Sequence, residues 1–283
     1  MTAKLPELAD DGLLTPEVGG WAEDKYRLVG VYAKLFATAM KDKWDSRVYL
    51  DLFTGAGRAR IKNSKRIIPA SPMLALGVTD KFDRYIFCEK EAALIDALKV
   101  RVEREYPGVD VRYVQGDTNT SVTKIFGELP QYRPGFKVLC FCFVDPFKLE
   151  NLAFETIREL SSRFMDFLVL IPSYMDANRN VGPYANPGNK TVDRFLGVTT
   201  WRDEWRAAEA AGQSFGDFIT DRFSRQMTGL KYLYEGLEDT KLIRSTDKNL
   251  PLYHLAFFSR SKLGQKFWKQ SRKYSEDQRS FFD

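Results

Sequence analysis

The stretch that most constrains this chain is Val48-Tyr49-Leu50-Asp51-Leu52-Phe53-Thr54-Gly55-Ala56-Gly57, an apolar strand that runs into an acid and then a D-x-F-x-G-x-G loop. A continuous apolar strand of this kind is buried on both faces, which asks for parallel neighbours and covering helices. The glycines let the backbone turn tightly and pass close to a ligand that a Cβ would block. A second strand, Tyr85-Ile86-Phe87-Cys88-Glu89, also ends on an acid. A carboxylate there can accept both hydroxyls of a ribose, as in the nucleoside-cofactor sites of Rossmann-like sheets. Residues 55–60 read G-A-G-R-A-R, so Arg60 stands where a dinucleotide-binding loop wants its third glycine, which argues against a dehydrogenase.

With 283 residues, 44% of them hydrophobic and 14% aromatic, the chain can bury a sizeable core and is not a disordered protein. A net charge of +5 permits a nucleic-acid partner without requiring one. The three cysteines, Cys88, Cys140 and Cys142, fall in predicted buried strands and are too few for a zinc site, so no metal is expected. An odd count without a disulfide framework fits a reducing compartment. Met1-Thr2-Ala3-Lys4-Leu5-Pro6 has no signal-peptide core, and no run approaches the ~20 apolar residues of a membrane span. A soluble, cytoplasmic protein without membrane contact is the expectation.

Residues 1–20 read as an arm, and 21–283 as one domain. Apolar residues from Trp21 to Met40 recur at helical spacing. Strands are then predicted at 47–53, 84–88, 109–114, 137–144 and 166–171, with helices at 71–78, 90–106, 119–128 and 153–163. Ser71-Pro72 reads as an N-cap followed by proline at the first helical position. The alternation predicts an α/β fold: a Rossmann-like, doubly wound, mostly parallel sheet. An irregular and helical insertion covers 172–228, two last strands fall near 230–234 and 252–259, and a basic helical tail covers 262–283.

The strand-end acids and the glycine loop together resemble the class I S-adenosylmethionine (SAM) methyltransferases. The resemblance implies that Asp51, Phe53, Gly55 and Gly57 cradle the methionine part of SAM. Glu89 would hold its ribose and Asp117 its adenine amino group, while Asp145-Pro146-Phe147 would line the place of methyl transfer. That last triplet is similar, imperfectly, to the D-P-P-Y motif of amino-methyltransferases acting on bases. It lacks the second proline, and its aromatic comes one place early. Each element also has a plainer reading. Glu89 can open a helix, Asp145-Pro146 can be a strand-ending turn, and Arg58, Arg60, Lys62, Lys65 and Arg66 can be a solvated loop instead of a phosphate contact. The tail mixes Lys262, Lys266, Lys269, Arg272 and Lys273 with Phe267, Trp268 and Tyr274, which suits single-stranded nucleic acid or an amphipathic helix equally. His254, the sole histidine, lies in a strand and reads as core, and a Ser-His-Asp hydrolase is a poor reading.

The chain also resembles the three-Cys-motif partner (TcmP) family. The likeness rests on Trp21-Ala22-Glu23-Asp24-Lys25, the Tyr49–Gly57 run, Ser71-Pro72 with Ala75-Leu76, Glu89, Phe143–Phe147 and Tyr253–Ser259. It implies a methyltransferase-like fold and a radical-SAM-like protein partner; the family's cysteine motif belongs to that partner, not to this chain. Three functions follow as expectations: a SAM-dependent methyltransferase with nucleic acid as acceptor, a catalytically silent partner-binding protein, and a small-molecule or protein methyltransferase with residues 172–200 as its lid.

Overall fold

Apolar runs with turn signals between them become strands joined by helices, and the computed structural model describes residues 4–277. The first part of the chain forms β1 (Glu17–Val18), α1 (Ala22–Met40), β2 (Ser46–Asp51), β3 (Arg58–Ile61), β4 (Ile67–Pro69) and α2 (Ser71–Leu76). β5 (Arg84–Glu89), α3 (Ala92–Glu105), β6 (Val111–Gln115), α4 (Val122–Glu128), β7 (Val138–Val144), α5 (Phe154–Leu160) and β8 (Met165–Ile171) continue the alternation. A π-helical turn, Ser173–Ala177, then leads into α6 (Val181–Ala185), α7 (Thr191–Leu196), α8 (Trp201–Ala210) and α9 (Phe215–Gly229). β9 (Lys241–Arg244), β10 (Pro251–Phe258) and α10 (Lys262–Asp277) complete the described chain.

Seven strands pair in the order β6-β5-β2-β7-β8-β10-β9. The first five are parallel, and β10 runs antiparallel between β8 and β9. The chain builds outward from β2 through β5 to β6, then crosses back to lay β7 on the other side of β2, so the sheet switches direction between β2 and β7. This is the expected Rossmann-like, doubly wound sheet in the class I methyltransferase arrangement. Alternate strand residues split the core in two. Val48, Leu50 and all three cysteines pack beneath α5, α7 and α9, while Tyr49, Phe87, Phe141 and Phe143 pack beneath α1, α2 and α10. No helix among the described residues is long and apolar enough to cross a membrane.

Four details differ from the sequence expectation. The basic segment is not a loop: β3 and β4 form a hairpin, and β1 adds to it in parallel as a third strand. Acids of the first 24 residues draw the arm down onto this hairpin, with Asp10 on Arg60 at 2.6 Å, Glu17 on Lys65 at 2.9 Å and Glu23 on Arg66 at 3.1 Å. Residues 230–234 are not a strand, because Lys231 turns out of α9 at φ +69°; the outer strand is β9 instead. Residues 172–200 coil into short helices, and Asn186 and Asn189 in the turn between α6 and α7 accept the nearby Gly188 and Thr191 N–H groups. Ser71 does not cap α2; its hydroxyl bonds to Asp51.

Arg101 on α3 is wholly buried and joins the arm to the glycine loop. Its guanidinium donates to the Asp11 carboxylate, to the carbonyls of Leu13 and Leu14, to Thr15 and, at 2.5 Å, to the carbonyl of Ala56. Arg101 and Arg104 hold the Asp11 carboxyl well below the usual carboxylate range, chiefly through the Arg101 hydrogen bond. Removing one partner of a buried pair leaves the other unpaired, at a cost of about 3–5 kcal/mol. Arg101→Met is expected to lose that much in urea unfolding; a loss under about 1 kcal/mol would show that the arm is held by its backbone pairing alone.

Candidate functional site

The carboxyl ends of β2, β5, β6 and β7 open on a cleft of about 480 Å³ beside the switch point, where ligands of open α/β sheets bind. Leu52 and Phe53 follow β2, Glu89 ends β5, Gly116, Asp117 and Thr118 follow β6, and Asp145 and Phe147 follow β7. The structure thus brings together Phe53, Glu89, Asp117, Asp145 and Phe147 of the residues predicted from sequence. Pro146 is buried behind Asp145.

Asp51, Gly55 and Gly57 are not on the cleft wall. Asp51 is 0% exposed and lies behind the loop, where it accepts hydrogen bonds from the Phe53 N–H, the Tyr49 hydroxyl and Ser71. Burial, with a smaller push from the Asp145 charge, raises its carboxyl to about 7 against those hydrogen bonds. Gly57 is required by the protein's own packing: at φ +85° a Cβ would meet Leu98 of α3 at 2.7 Å. Gly55, at φ +63°, has open space where its Cβ would be, and its N–H donates to Glu89 at 2.8 Å. Glu89 also accepts the Glu91 N–H, so its ribose-binding and helix-opening readings describe one carboxylate.

Asn119 knits the cleft floor. Its side chain donates to the Asn151 carbonyl and accepts from the Ala153 N–H and the Thr156 hydroxyl, which ties the loops after β6 and β7 together. Thr118, on the wall, is buried without a hydrogen-bond partner of standard geometry, though the Cys88 thiol lies near it. Asp176 of the π-helical turn accepts the Leu149 N–H at 2.7 Å and the Tyr184 hydroxyl at 2.9 Å, bracing the loop after β7 from behind. No residue of 172–200 lines this cleft, so the segment supports the wall and does not close over it.

Lys25 is the residue that sequence reasoning missed. It lies one turn after Trp21 on the stripe of α1 that also carries Leu28, Val29 and Tyr32. A lysine inside an apolar stripe was the available signal. It is 5% exposed, and its ammonium group pairs with Asp145 Oδ2 at 2.5 Å. The ammonium also sits 4.5 Å from the Tyr26 ring centroid and 5.6 Å from that of Trp21.

The basic residues predicted as phosphate contacts have other partners. Arg58 is buried, pairing with Glu105 at 2.7 Å and Asp11 at 3.3 Å; Arg60 holds Asp10, and Lys62 stays exposed. In α10, Lys262, Lys266, Lys269 and Lys273 line a groove of about 610 Å³ with Tyr234 and Glu235, away from the strand ends. Trp268 is 0% exposed and its ring nitrogen donates to the Asp239 carbonyl, so this aromatic of the tail packs into the core, while the side chain of Tyr274 and residues 278–283 lie outside the described residues. His254 is buried as expected, and burial lowers its pKa to about 4. A Ser-His-Asp grouping does form, with Ser173 Oγ 3.0 Å from His254 Nδ1 and Asp217 3.6 Å from Nε2. Ser173 is fully buried, so its hydroxyl is not open to a substrate, while Asp217 at the outer end of the grouping is one-third exposed (33%).

Compared by sequence, the chain matches no protein-family model and no curated protein. Among solved structures it is similar to the O-methyltransferase TomG from Streptomyces achromogenes, solved with SAM, at 14% identity over 84% of this chain and 80% of that one, with a TM-score of 0.45. Protein LPL1258 from Legionella pneumophila is 14% identical over 91% and 93%, with a TM-score of 0.49. An O-methyltransferase from Bacillus cereus, solved with S-adenosylhomocysteine (SAH), is 13% identical over 80% of each chain, with a TM-score of 0.41. Likeness this remote adds nothing about chemistry, which the cleft's own residues must supply.

Asp51 and Asp166, the latter also raised to about 7 by burial, hold protons in the folded state that the unfolded chain releases near pH 4. Stability contributed by these protons is fully present below the unfolded value near 4, falls from there, and is gone once pH has risen through the folded pKa. From pH 6 to 8 each acid is expected to lose roughly 1.4 kcal/mol of stability. His254, neutral when folded, works the other way below about pH 6.5 but does not cancel two acids. Thermal melts should therefore fall between pH 6 and 8, and Asp51→Asn should remove most of the net fall. An unchanged slope would place Asp51 in a more polar setting than its burial implies.

Proposed function

We propose that the chain is a SAM-dependent methyltransferase whose acceptor is an amino group on a planar ring, a nucleobase being the first class to test. The observation that carries this is Phe147. It is 73% exposed, a large apolar ring held at the cleft rim two residues from Asp145. A ring so placed offers a stacking face, and the neighbouring carboxylate offers an acceptor for amine hydrogens.

The residues present fit SAM. Glu89 supplies a carboxylate for a ribose diol and Asp117 one for an adenine amino group. Gly55, two residues past Phe53 of the cleft wall, has open space where a Cβ would be, which leaves room for the methionine part beside that wall. Bound there, SAM supplies a methyl group on a sulfonium, which an acceptor lone pair takes while the carbon–sulfur pair returns to sulfur. The chain's own part is to orient the two reactants and shield them from water. With the proton of an amine lost after transfer, no general base is required of the site.

Nucleic acid as the acceptor class is supported by the lysine face of α10 and by Lys62, and less than the sequence suggested by Arg58 and Arg60. Membership of the three-Cys-motif partner family, with a radical-SAM-like protein partner, is proposed on the sequence segments quoted above. Two of these segments meet in the pair of Lys25 with Asp145. Three buried free thiols suit the reducing cytoplasm that this reading assumes.

Calorimetric titration with SAM and SAH should show binding that weakens at least about tenfold in Glu89→Ala and in Asp117→Ala, since each removes a charged hydrogen-bond partner. Phe147→Ala should leave both affinities within about twofold yet lower transfer of labelled methyl to RNA or DNA by more than about tenfold. Wild-type protein that binds neither ligand would end the enzyme reading for this chain. Transfer unaffected by Phe147→Ala would move the acceptor elsewhere.

A further inference from the structure

Burying a lysine is costly, and a helix that only had to pack against the sheet would carry an aliphatic residue at position 25. Lys25 is instead held from several sides: by the Asp145 carboxylate, by the faces of Tyr26 and Trp21, and by the helix that carries it. Burial alone would lower its pKa, but the Asp145 carboxylate, through its charge and its hydrogen bond, outweighs that and raises it, so the ammonium form is the one present. Trp21 in turn packs edge-on against Tyr253 of β10 at 5.1 Å. The Tyr253 hydroxyl is buried with no hydrogen-bond partner among the described residues, and both it and Tyr26 feel the Asp145 charge. The titratable groups facing this spot are thus Lys25, Asp24 and Tyr26 on α1, Asp51 at the end of β2, Asp145 after β7 and Tyr253 on β10.

Asp145 has one side-chain oxygen on Lys25 while its residue lines the cleft that Glu89 and Asp117 also line. A lone carboxylate there would attract any cation, including a protonated amine, which has no lone pair to methylate. A lone ammonium would repel a sulfonium. The pair presents a hydrogen-bond acceptor with no net charge.

We propose that Lys25 is a positioning residue of the methyl-transfer site, fixing the Asp145 carboxylate at the cleft wall and cancelling its charge beside the sulfonium, so that the site takes a neutral acceptor. The proposal rests on the SAM reading given above. It predicts that Lys25 and Asp145 act as one unit toward charge in the cleft and that neither can be removed alone without unbalancing it.

SAM carries a sulfonium charge that SAH lacks, so the ratio of their affinities reads that balance without knowledge of the acceptor. The experiment is a double-mutant cycle by calorimetry at pH 7.5 with Lys25→Met, Asp145→Asn, the double variant and Lys25→Arg. Asp145→Asn leaves an unpaired ammonium and should shift the SAM-to-SAH affinity ratio against SAM by about tenfold, the scale of one unit charge at short range in a partly solvated site. Lys25→Met should shift the ratio toward SAM, the double variant should return it to the wild-type value, and Lys25→Arg should leave it unchanged. A packing role alone would alter the melting temperature, or both affinities in parallel, and leave the ratio fixed in every variant; that result overturns the proposal. If Lys25→Met fails to fold, Asp145→Asn and the double variant still decide it. Wild-type protein that binds neither ligand fails earlier, at the cofactor reading itself, and so is distinguished from a failure of Lys25.

Discussion

Two carboxylates stand at the ends of neighbouring parallel strands, and much of the site's architecture answers that constraint. Asp51 lies opposite Phe143 in the β2–β7 register, which leaves Asp145 just beyond the strand end beside it. Both side chains are at least largely removed from water, where like charges repel strongly and bare charges are costly. The fold treats them differently. Asp51 is sealed behind the loop with three donors around it, and its affinity for a proton rises. Asp145 is placed at the cleft and given Lys25. The start of α1, the placing of Ser71 and the buried tyrosines near the pair all follow from giving each carboxylate its own solution.

The same economy of charge explains the arm. A chain of net charge +5 carries a dense run of cations just after its glycine loop, and the first 24 residues carry the acids that meet them. Arg101 extends this network to the carbonyl of Ala56, so that the order of the arm and the shape of the glycine loop are coupled through one buried guanidinium. Cations that look available for phosphate in the sequence are thereby largely committed within the molecule. Along α10, Lys269 is likewise held by Glu235, and Lys262, Lys266 and Lys273 are the clearest remaining basic face.

The strand-end positions were legible in sequence because parallel strands buried on both faces are written as unbroken apolar runs, and the acids and glycines that follow them stand out. Glu89, Asp117, Asp145 and Phe147 reach one cleft for that reason. Lys25 was legible only in part. It breaks the apolar stripe of α1, but nothing local says which of many carboxylates it meets, since Asp145 lies 120 residues away. Gly57 shows the opposite failure: its glycine looked like ligand space and proves to be room for Leu98.

Sequence by itself determined the alternation of strands and helices, the parallel sheet and the order of residues along the strand ends, because hydrophobic period and turn chemistry act over a few residues. Tertiary structure alone decided which charges are spent inside the molecule, which aromatics face water, and that a buried Ser173 and His254 meet Asp217. Those outcomes depend on burial and on contacts between segments far apart in the chain, and neither is encoded in any local pattern.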